Sequence, residues 1–173
     1  PDDVLKEEFL NARGAIARFG RGSIEIRVID IQECPAADLA VLQATVGVLK
    51  AMVGEQWSSL EAQQAMPIEP LHEILLAAID KADQAVVSNA EVLKLFGVQT
   101  SSCTLNELWQ TLYTATNPEM DLATRRAFET ILDKGPLARR MTKALSRDNS
   151  ILKITEVAQE LCDCLSSGRQ FSA

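Results

Sequence analysis

At residues 15–31 the chain reads AIARFGRGSIEIRVIDI, and this stretch decides the non-helical part of the fold. Two short alternating runs flank the Gly-Arg-Gly segment at 20–22, a pattern that predicts a β-hairpin with a glycine-rich connection. Side chains alternate along a strand, so Glu25 and Arg27 are predicted to share one face of the second strand. Three apolar side chains form its other face, which we expect to pack on a core: Ile24, Ile26 and Val28.

The Glu25 and Arg27 face combines two groups that suit phosphate chemistry. A hard cation prefers oxygen ligands such as a carboxylate, and a transferring phosphoryl group is stabilised by a planar, permanently charged guanidinium. The alternative is a solvent-exposed ion pair on an ordinary strand. Because two strands alone bury too little surface to be stable, the hairpin must either lie against helices or complete a sheet whose other strands are outside this chain.

After Cys34-Pro35 the sequence is predicted to be helical. Periodicity, capping residues and Gly or Pro breaks predict helices over 36–53, 59–65, 70–96, 105–116, 121–133, 137–145 and 150–166. A short acidic helix is predicted over 2–12, and the tail after Gly168 is expected to fray. Arg139-Arg140 either contacts a partner or, as most such pairs do, lies on a solvated helix surface.

Apolar residues at helical spacing predict which face of two of these helices is buried. In the helix over 36–53 the expected stripe is Leu39, Leu42, Val46, Leu49 and Val53. In the helix over 150–166 it is Ile151, Ile154, Val157, Leu161 and Leu165.

Composition limits the classes of function. The 173 residues are 47% hydrophobic, enough for one compact domain, and the net charge of −7 argues against a nucleic-acid partner. The arginines are nevertheless concentrated near the N-terminus, which favours an anionic small molecule: Arg13, Arg18, Arg21 and Arg27. With no signal-peptide pattern and no apolar run near the roughly 20 residues of a membrane span, we expect a cytoplasmic protein without a membrane partner.

Cysteine and histidine usage argues against zinc. The four cysteines form no CxxC pair and the chain has one histidine, so the expectation is reduced cysteines, including Cys162 and Cys164 on one helix. The chain opens at Pro1 without a methionine, and we therefore interpret it as a piece of a longer protein.

The residues from Leu10 to Pro35 resemble the C-terminal part of the glutamate–cysteine ligase type of carboxylate–amine ligases. The similarity rests on LNARGAIARF at 10–19 and SIEIRVIDIQ at 23–32, and extends weakly through the following helix. The resemblance implies a place in the glutamine-synthetase-like superfamily, whose curved antiparallel sheet carries the active site. It also implies an activity of glutathione biosynthesis, in which glutamate is joined to an amine, usually that of cysteine, through an acyl phosphate made from ATP with magnesium.

The family's Glu-x-Arg strand matches Glu25 and Arg27. The resemblance implies that Glu25 is a magnesium (Mg²⁺) ligand and that Arg27 is catalytic, contacting the γ-phosphate. It places Arg13 and Arg18 in the arginine-bearing strand that approaches substrate or nucleotide. Asp30 and Gln32 either occupy the family's acidic and amide positions or satisfy backbone groups at the end of the strand.

The family places most of its metal-binding carboxylates upstream of this region, and the chain supplies neither a second cluster of acids nor a Walker-type phosphate loop. The expectation is therefore a mainly α fold with a short β-hairpin, a multi-helix bundle that forms the C-terminal part of a larger α+β ligase fold. Residues 1–35 are expected to complete the active-site sheet and residues 36–173 to form a helical domain. We expect no activity from this chain alone, and the missing N-terminal part of the same enzyme as its partner.

Two alternatives remain open at this point. One is a carboxylate–amine ligase with another amine acceptor, because the motif reports the phosphoryl site and not the acceptor. The other is a non-catalytic helical interaction module whose hairpin mediates docking or a homodimer.

Overall fold

A computed structural model describes residues 14–172 of the chain. The predicted helix over 2–12 and Arg13 lie outside these residues. Within them the protein is mainly helical with two small antiparallel pairs of strands, which confirms the predicted fold class. The chain divides into two compact units, with the boundary between Gln32 and Glu33, and each is described by itself below.

The first unit contains the predicted hairpin. Strand β1 (Ala15–Arg18) and strand β2 (Ser23–Ile26) pair antiparallel, joined by a 3-10 turn over Phe19–Arg21. Gly22 closes the turn with a φ of +59°, a left-handed conformation that glycine adopts without a steric penalty. The amide of Arg27 donates to the carbonyl of Gly14 at 2.8 Å, which continues the pairing by one residue.

The second unit contains the helices and a second pair of strands. The helices are α1 (Pro35–Val53), α2 (Leu60–Ala65), α3 (Ile68–Lys81), α4 (Ala90–Leu95), α5 (Leu105–Thr116), α6 (Leu122–Lys134), α7 (Leu137–Leu145) and α8 (Ile151–Ser167). Strands β3 (Val86–Val87) and β4 (Cys103–Thr104) pair antiparallel between α3 and α5. Helix α5 begins with a complete capping box formed by Thr104 and Glu107.

The long helix predicted over 70–96 is wrong. The chain leaves the helical conformation at Ala82, whose φ of 51° and ψ of −129° are incompatible with a helix. The β-branched pair Val86–Val87 then joins β4, and the side chain of Asn89 caps the new helix α4. Strand pairing and the new cap together outweigh the local helix propensity of this alanine-rich segment.

The face of α1 that the sequence predicted to be buried is exposed. The buried residues of α1 lie on the opposite side: Ala37, Ala40, Ala44, Val48 and Ala51. Most of these alanines pack against large aromatic side chains of α5 and α6, including Trp109, Tyr113 and Phe128. Small residues on one helix let bulky ones on its neighbours approach, so the alanine stripe and not the leucine stripe faces the core.

Helix α8 also departs from the expectation. Val157 is buried as predicted, but Ile151, Ile154 and Leu165 are exposed, and Cys164 takes the second buried position. The tail does not fray, because the Phe171 side chain is fully buried beside α7 and α8. The predicted end of ordered structure at Gly168 is therefore wrong.

Candidate functional site

The hairpin brings together three of the four residues that the sequence nominated for chemistry. Glu25 lies opposite Ile16 in the strand register, and Arg18 lies opposite Ser23, so Glu25 and Arg18 are diagonal neighbours on one face. Arg27 follows two positions after Glu25 and therefore projects from the same face. Arg13, the fourth nominated residue, lies outside the described residues.

Both oxygens of the Glu25 carboxylate accept hydrogen bonds from guanidinium groups. Oε2 accepts from Arg18, with Nε at 2.7 Å and a second guanidinium nitrogen at 2.6 Å. Oε1 accepts from Nε of Arg27 at 2.8 Å. Glu25 therefore holds the two arginines in fixed positions on either side of it, as a charge-assisted clamp.

The two arginines set the electrostatics of this face. Hydrogen bonds from Arg18, and then from Arg27, hold the pKa of the Glu25 carboxyl below its usual value, so Glu25 is ionised at neutral pH. Residues 14–32 contain three arginines and two acidic residues, a net charge of +1 within a chain of net charge −7. The arginine face is thus a local positive site, which suits an anionic ligand.

The described residues do not by themselves form a magnesium site. A magnesium ion at Glu25 would lie beside two guanidiniums that already donate to the carboxylate, and their positive charge would oppose a cation there. Among residues 14–172 there is no group of three or more His, Cys, Asp or Glu side chains that could hold a metal ion. We therefore derive no chemical step through magnesium from this chain.

The apolar face of β2 does not pack on a core within the described residues. Ile24 and Val28 are 70% and 60% exposed, and Ile26 is also exposed. By contrast Ile16, on the same face as Glu25, is buried. The prediction of an inward apolar face and an outward ionic face is therefore wrong, and the ionic face is the more covered one.

The residues that follow the motif make a local contact. The side-chain amide of Gln32 donates to the backbone carbonyl of Asp30 at 2.9 Å. This is the bond that a residue beyond the end of a strand makes to satisfy the backbone. Among the described residues, no hydrogen bond or ion pair joins the Asp30 carboxylate to the Arg18–Glu25–Arg27 clamp.

A buried ion pair in the helical unit escaped the sequence analysis. Arg140 and Glu33 side chains are fully buried, and an Arg140 terminal nitrogen lies 2.5 Å from Glu33 Oε1. The sequence analysis left Arg140 as a partner contact or as part of a solvated helix surface, and its burial shows that the solvated alternative is wrong. The helical periodicity of α7 could have predicted this burial. Arg140 lies on the same helix face as Leu137, Met141 and Ala144, which pack in the core around Phe171.

The four cysteines differ in their exposure. All four are free thiols, with Cys34 and Cys164 buried and Cys162 exposed. Burial raises the pKa of the Cys164 and Cys103 thiols above their usual value, so both stay protonated at neutral pH.

Helix α1 is long and apolar enough to cross a membrane by length and composition, with a mean hydropathy of 1.5. The sequence had suggested no such segment. One such helix is weak evidence for a membrane span, since the core helix of a soluble protein passes the same test.

Comparison with known proteins gives little functional information. The chain is similar to an uncharacterized protein of Archaeoglobus fulgidus, 34% identical over 91 residues. The matched segment covers 53% of this chain and 20% of the relative, so the chain spans about a fifth of the length of the protein it matches. No protein-family model matches the chain, and no solved structure matches it significantly.

Proposed function

We propose that this chain is the C-terminal part of an ATP-dependent carboxylate–amine ligase of the glutamate–cysteine ligase type. The observation that carries the proposal is the clamp in which Glu25 holds Arg18 and Arg27 on one face of the hairpin. This arrangement coincides with the Glu-x-Arg strand by which the sequence resembles that family.

The proposed reaction proceeds in two steps. A glutamate carboxylate oxygen attacks the γ-phosphorus of ATP, the bond to the bridging oxygen breaks, and ADP leaves with an acyl phosphate formed. The amine then attacks the acyl carbon, phosphate leaves, and the amine loses a proton as the amide bond forms. Because the first step brings two anions together, a fixed guanidinium lowers its barrier by offsetting their repulsion.

The clamp supports separate roles for its members. Glu25 orients the two guanidiniums, Arg27 is placed against the transferring phosphoryl group, and Arg18 against substrate or nucleotide. A planar guanidinium already fixed by a carboxylate loses little further freedom when it binds a phosphate, which is the advantage of a preorganised site. The magnesium-binding role of Glu25 remains a prediction that needs further groups beyond residues 14–172.

The test is ADP release by a full-length protein that carries this chain, supplied with magnesium, ATP and glutamate, with and without cysteine. Arg27→Ala should lower cysteine-dependent release by about 100-fold or more, the usual loss when one transition-state donor is removed. Arg21→Ala, on the exposed turn of the same hairpin, is the matched control and should change it little. Release stimulated by another amine in place of cysteine would identify a different acceptor.

The 173-residue chain alone should show no such activity. Detectable glutamate-dependent ATP turnover by this chain would contradict the proposal that it is one wall of a larger site. If no amine stimulates ADP release by the full-length protein, or if Arg27→Ala leaves it unchanged, the clamp is a structural feature and the ligase proposal fails.

A second candidate function is favoured by the exposed apolar face of the hairpin. Phe19 in the turn is 92% exposed, and Ile24, Val28 and Ile31 are exposed as well. An apolar strand edge and face of this kind is a typical protein–protein contact surface. A helical interaction module that uses the hairpin for docking would keep its fold but lose its partner when Ile24 and Val28 are replaced by Lys.

A further inference from the structure

Helix α1 exposes a continuous apolar seam, formed by residues that neither the hairpin nor the ligase proposal uses. Five side chains form the α1 seam: Leu39, Leu42, Val46, Leu49 and Val53. Each is between 38% and 84% exposed, although all five belong to residue types that cores normally bury. A row of large apolar residues along a whole helix is larger than the isolated exposed residues that need no explanation.

The spacing of the α1 seam is that of a coiled coil. Its residues step by three, four, three and four positions, which is the strict heptad alternation of a and d sites. With Leu39 at an a site, every buried residue of α1 falls at a b, c or f site, on the side that packs against α5 and α6. The helix thus divides cleanly into an alanine face for its own core and a heptad face for a partner helix.

The alanine face argues against a membrane as the occupant. Helix α1 has the length and composition of a membrane span, but the face that carries Ala40 and Ala44 is buried against other helices of the same unit. A spanning helix would have to leave those contacts. Lipid also requires no heptad period, because it contacts a helix at every angle.

We propose that the occupant is a second copy of this chain, paired through α1 as a parallel two-stranded coiled coil. Val46 and Val53 occupy two of the three a sites, Leu39 occupies the third, and Leu42 and Leu49 occupy the d sites. β-Branched residues at a with leucine at d favour two strands in parallel coiled coils. The seam is therefore complementary to itself.

The flanking positions are compatible with self-pairing. In a parallel pair each g site faces the next e site of the partner, which places Asp38 opposite Gln43 and Thr45 opposite Lys50. Neither contact brings like charges together, so these flanking sites do not oppose the homodimer. The seam offers on the order of 500 Å² per copy, below a standard interface, so we expect weak, concentration-dependent association.

Sedimentation equilibrium of the 173-residue chain, from about 5 to 500 μM, tests the proposal. The mass should rise from 18.9 kDa toward twice that value. Leu42→Glu with Leu49→Glu should weaken dimerisation by at least about 100-fold, since it places four charges in the seam of the dimer. Ile68→Glu with Ile151→Glu adds the same charge at exposed apolar residues off the seam, and should leave dimerisation unchanged.

The parallel arrangement has its own readout. Val53→Cys in a Cys162→Ser background should form a disulfide-linked dimer on mild oxidation, because the two copies of an a site are adjacent in a parallel pair. In an antiparallel pair these sites would lie at opposite ends of the seam, about 20 Å from each other. The background variant alone is the control for adventitious cross-links.

Far-UV circular dichroism of each variant establishes that it is folded. A folded chain that stays monomeric up to the highest concentration overturns the proposal, as does a dimer that tolerates the seam substitutions. A monomer that co-sediments with phosphatidylcholine–phosphatidylglycerol vesicles overturns it in favour of a lipid surface. A dimer sensitive to the seam substitutions but not cross-linked through Val53→Cys overturns the parallel arrangement.

Discussion

Replacing Arg140 should destabilise the helical unit more than replacing most other charged residues. Its guanidinium is fully buried and donates to Glu33 at 2.5 and 3.3 Å, to the Phe171 carbonyl at 2.6 Å and to the Gly135 carbonyl at 3.0 Å. The pair therefore ties the start of α1, the α6–α7 turn and the C-terminal tail to one another. Arg140→Met leaves a buried carboxylate whose remaining described donor is the Phe171 amide at 3.3 Å.

The expected loss is about 3–5 kcal/mol in the free energy of unfolding, the cost of leaving one buried charge without its partner. Two backbone carbonyls also lose a donor, which places the loss toward the upper end of that range. For a chain of this length the melting temperature should fall by roughly 10 °C or more. The assay is urea unfolding followed by far-UV circular dichroism at pH 7.

Two further variants make the reasoning refutable. Arg139→Met removes the neighbouring arginine, which pairs with Asp83 at a partly exposed site, and should cost less than about 1 kcal/mol. Glu33→Leu combined with Arg140→Met should recover much of the loss, because an apolar pair of similar volume is tolerated where one unpaired charge is not. Equal losses for the two arginine variants, or no recovery in the double variant, would refute this account of the buried pair.

Three other predictions concern α1, the break after α3 and pH. Ala40→Leu should lower the free energy of unfolding by about 1–3 kcal/mol because it overpacks a fully buried site, whereas Leu42→Ala on the exposed face should change it by about 0.5 kcal/mol or less. Thermal unfolding measures both, and the reverse order would show that the leucine stripe is the buried one. Ala82→Gly should stabilise the protein by about 0.5–1 kcal/mol, because glycine adopts the positive φ at this position without strain. Its control, Ala78→Gly inside α3, should cost about 1 kcal/mol in the same urea unfolding assay. A loss of stability at both sites would count against backbone strain at Ala82. Hydrogen bonds from Thr104, the N-cap residue of α5, lower the pKa of the Glu107 carboxyl. The ionised carboxylate therefore contributes its full stabilisation above the ordinary carboxyl pKa of about 4, and this contribution is lost as the pH falls through the lowered folded-state pKa. Glu107→Ala should destabilise the protein more at pH 7 than at pH 2 in urea unfolding, and a pH-independent difference would contradict this role of Glu107.

The sequence was sufficient where a local rule decides the outcome. The hairpin follows from alternation on either side of Gly-Arg-Gly, and the starts of α5, α6 and α8 follow from capping by Thr104, Asp121 and Ser150. The proximity of Glu25 to Arg27 also follows from strand periodicity, whereas its proximity to Arg18 depends on the register of the hairpin. Each of these depends on residues a few positions apart, so no knowledge of the rest of the fold is needed.

Tertiary structure decided which of several local options was used. Helix α1 carries two apolar stripes, and the aromatic side chains of α5 and α6 select the alanine stripe because it lets them approach closely. The segment after Lys81 is not helical because β3 pairs with β4, whose residues lie 16 or more positions further along the chain.

The buried pair is the clearest case of a feature that depends on the whole fold. Glu33 and Arg140 are 107 positions apart, and Phe171 comes from the far end of the chain. Composition and spacing mark Arg140 only as one of two adjacent arginines. It is buried because three distant segments meet around it and supply its acceptors, and a charge can leave water only where such partners are already in place.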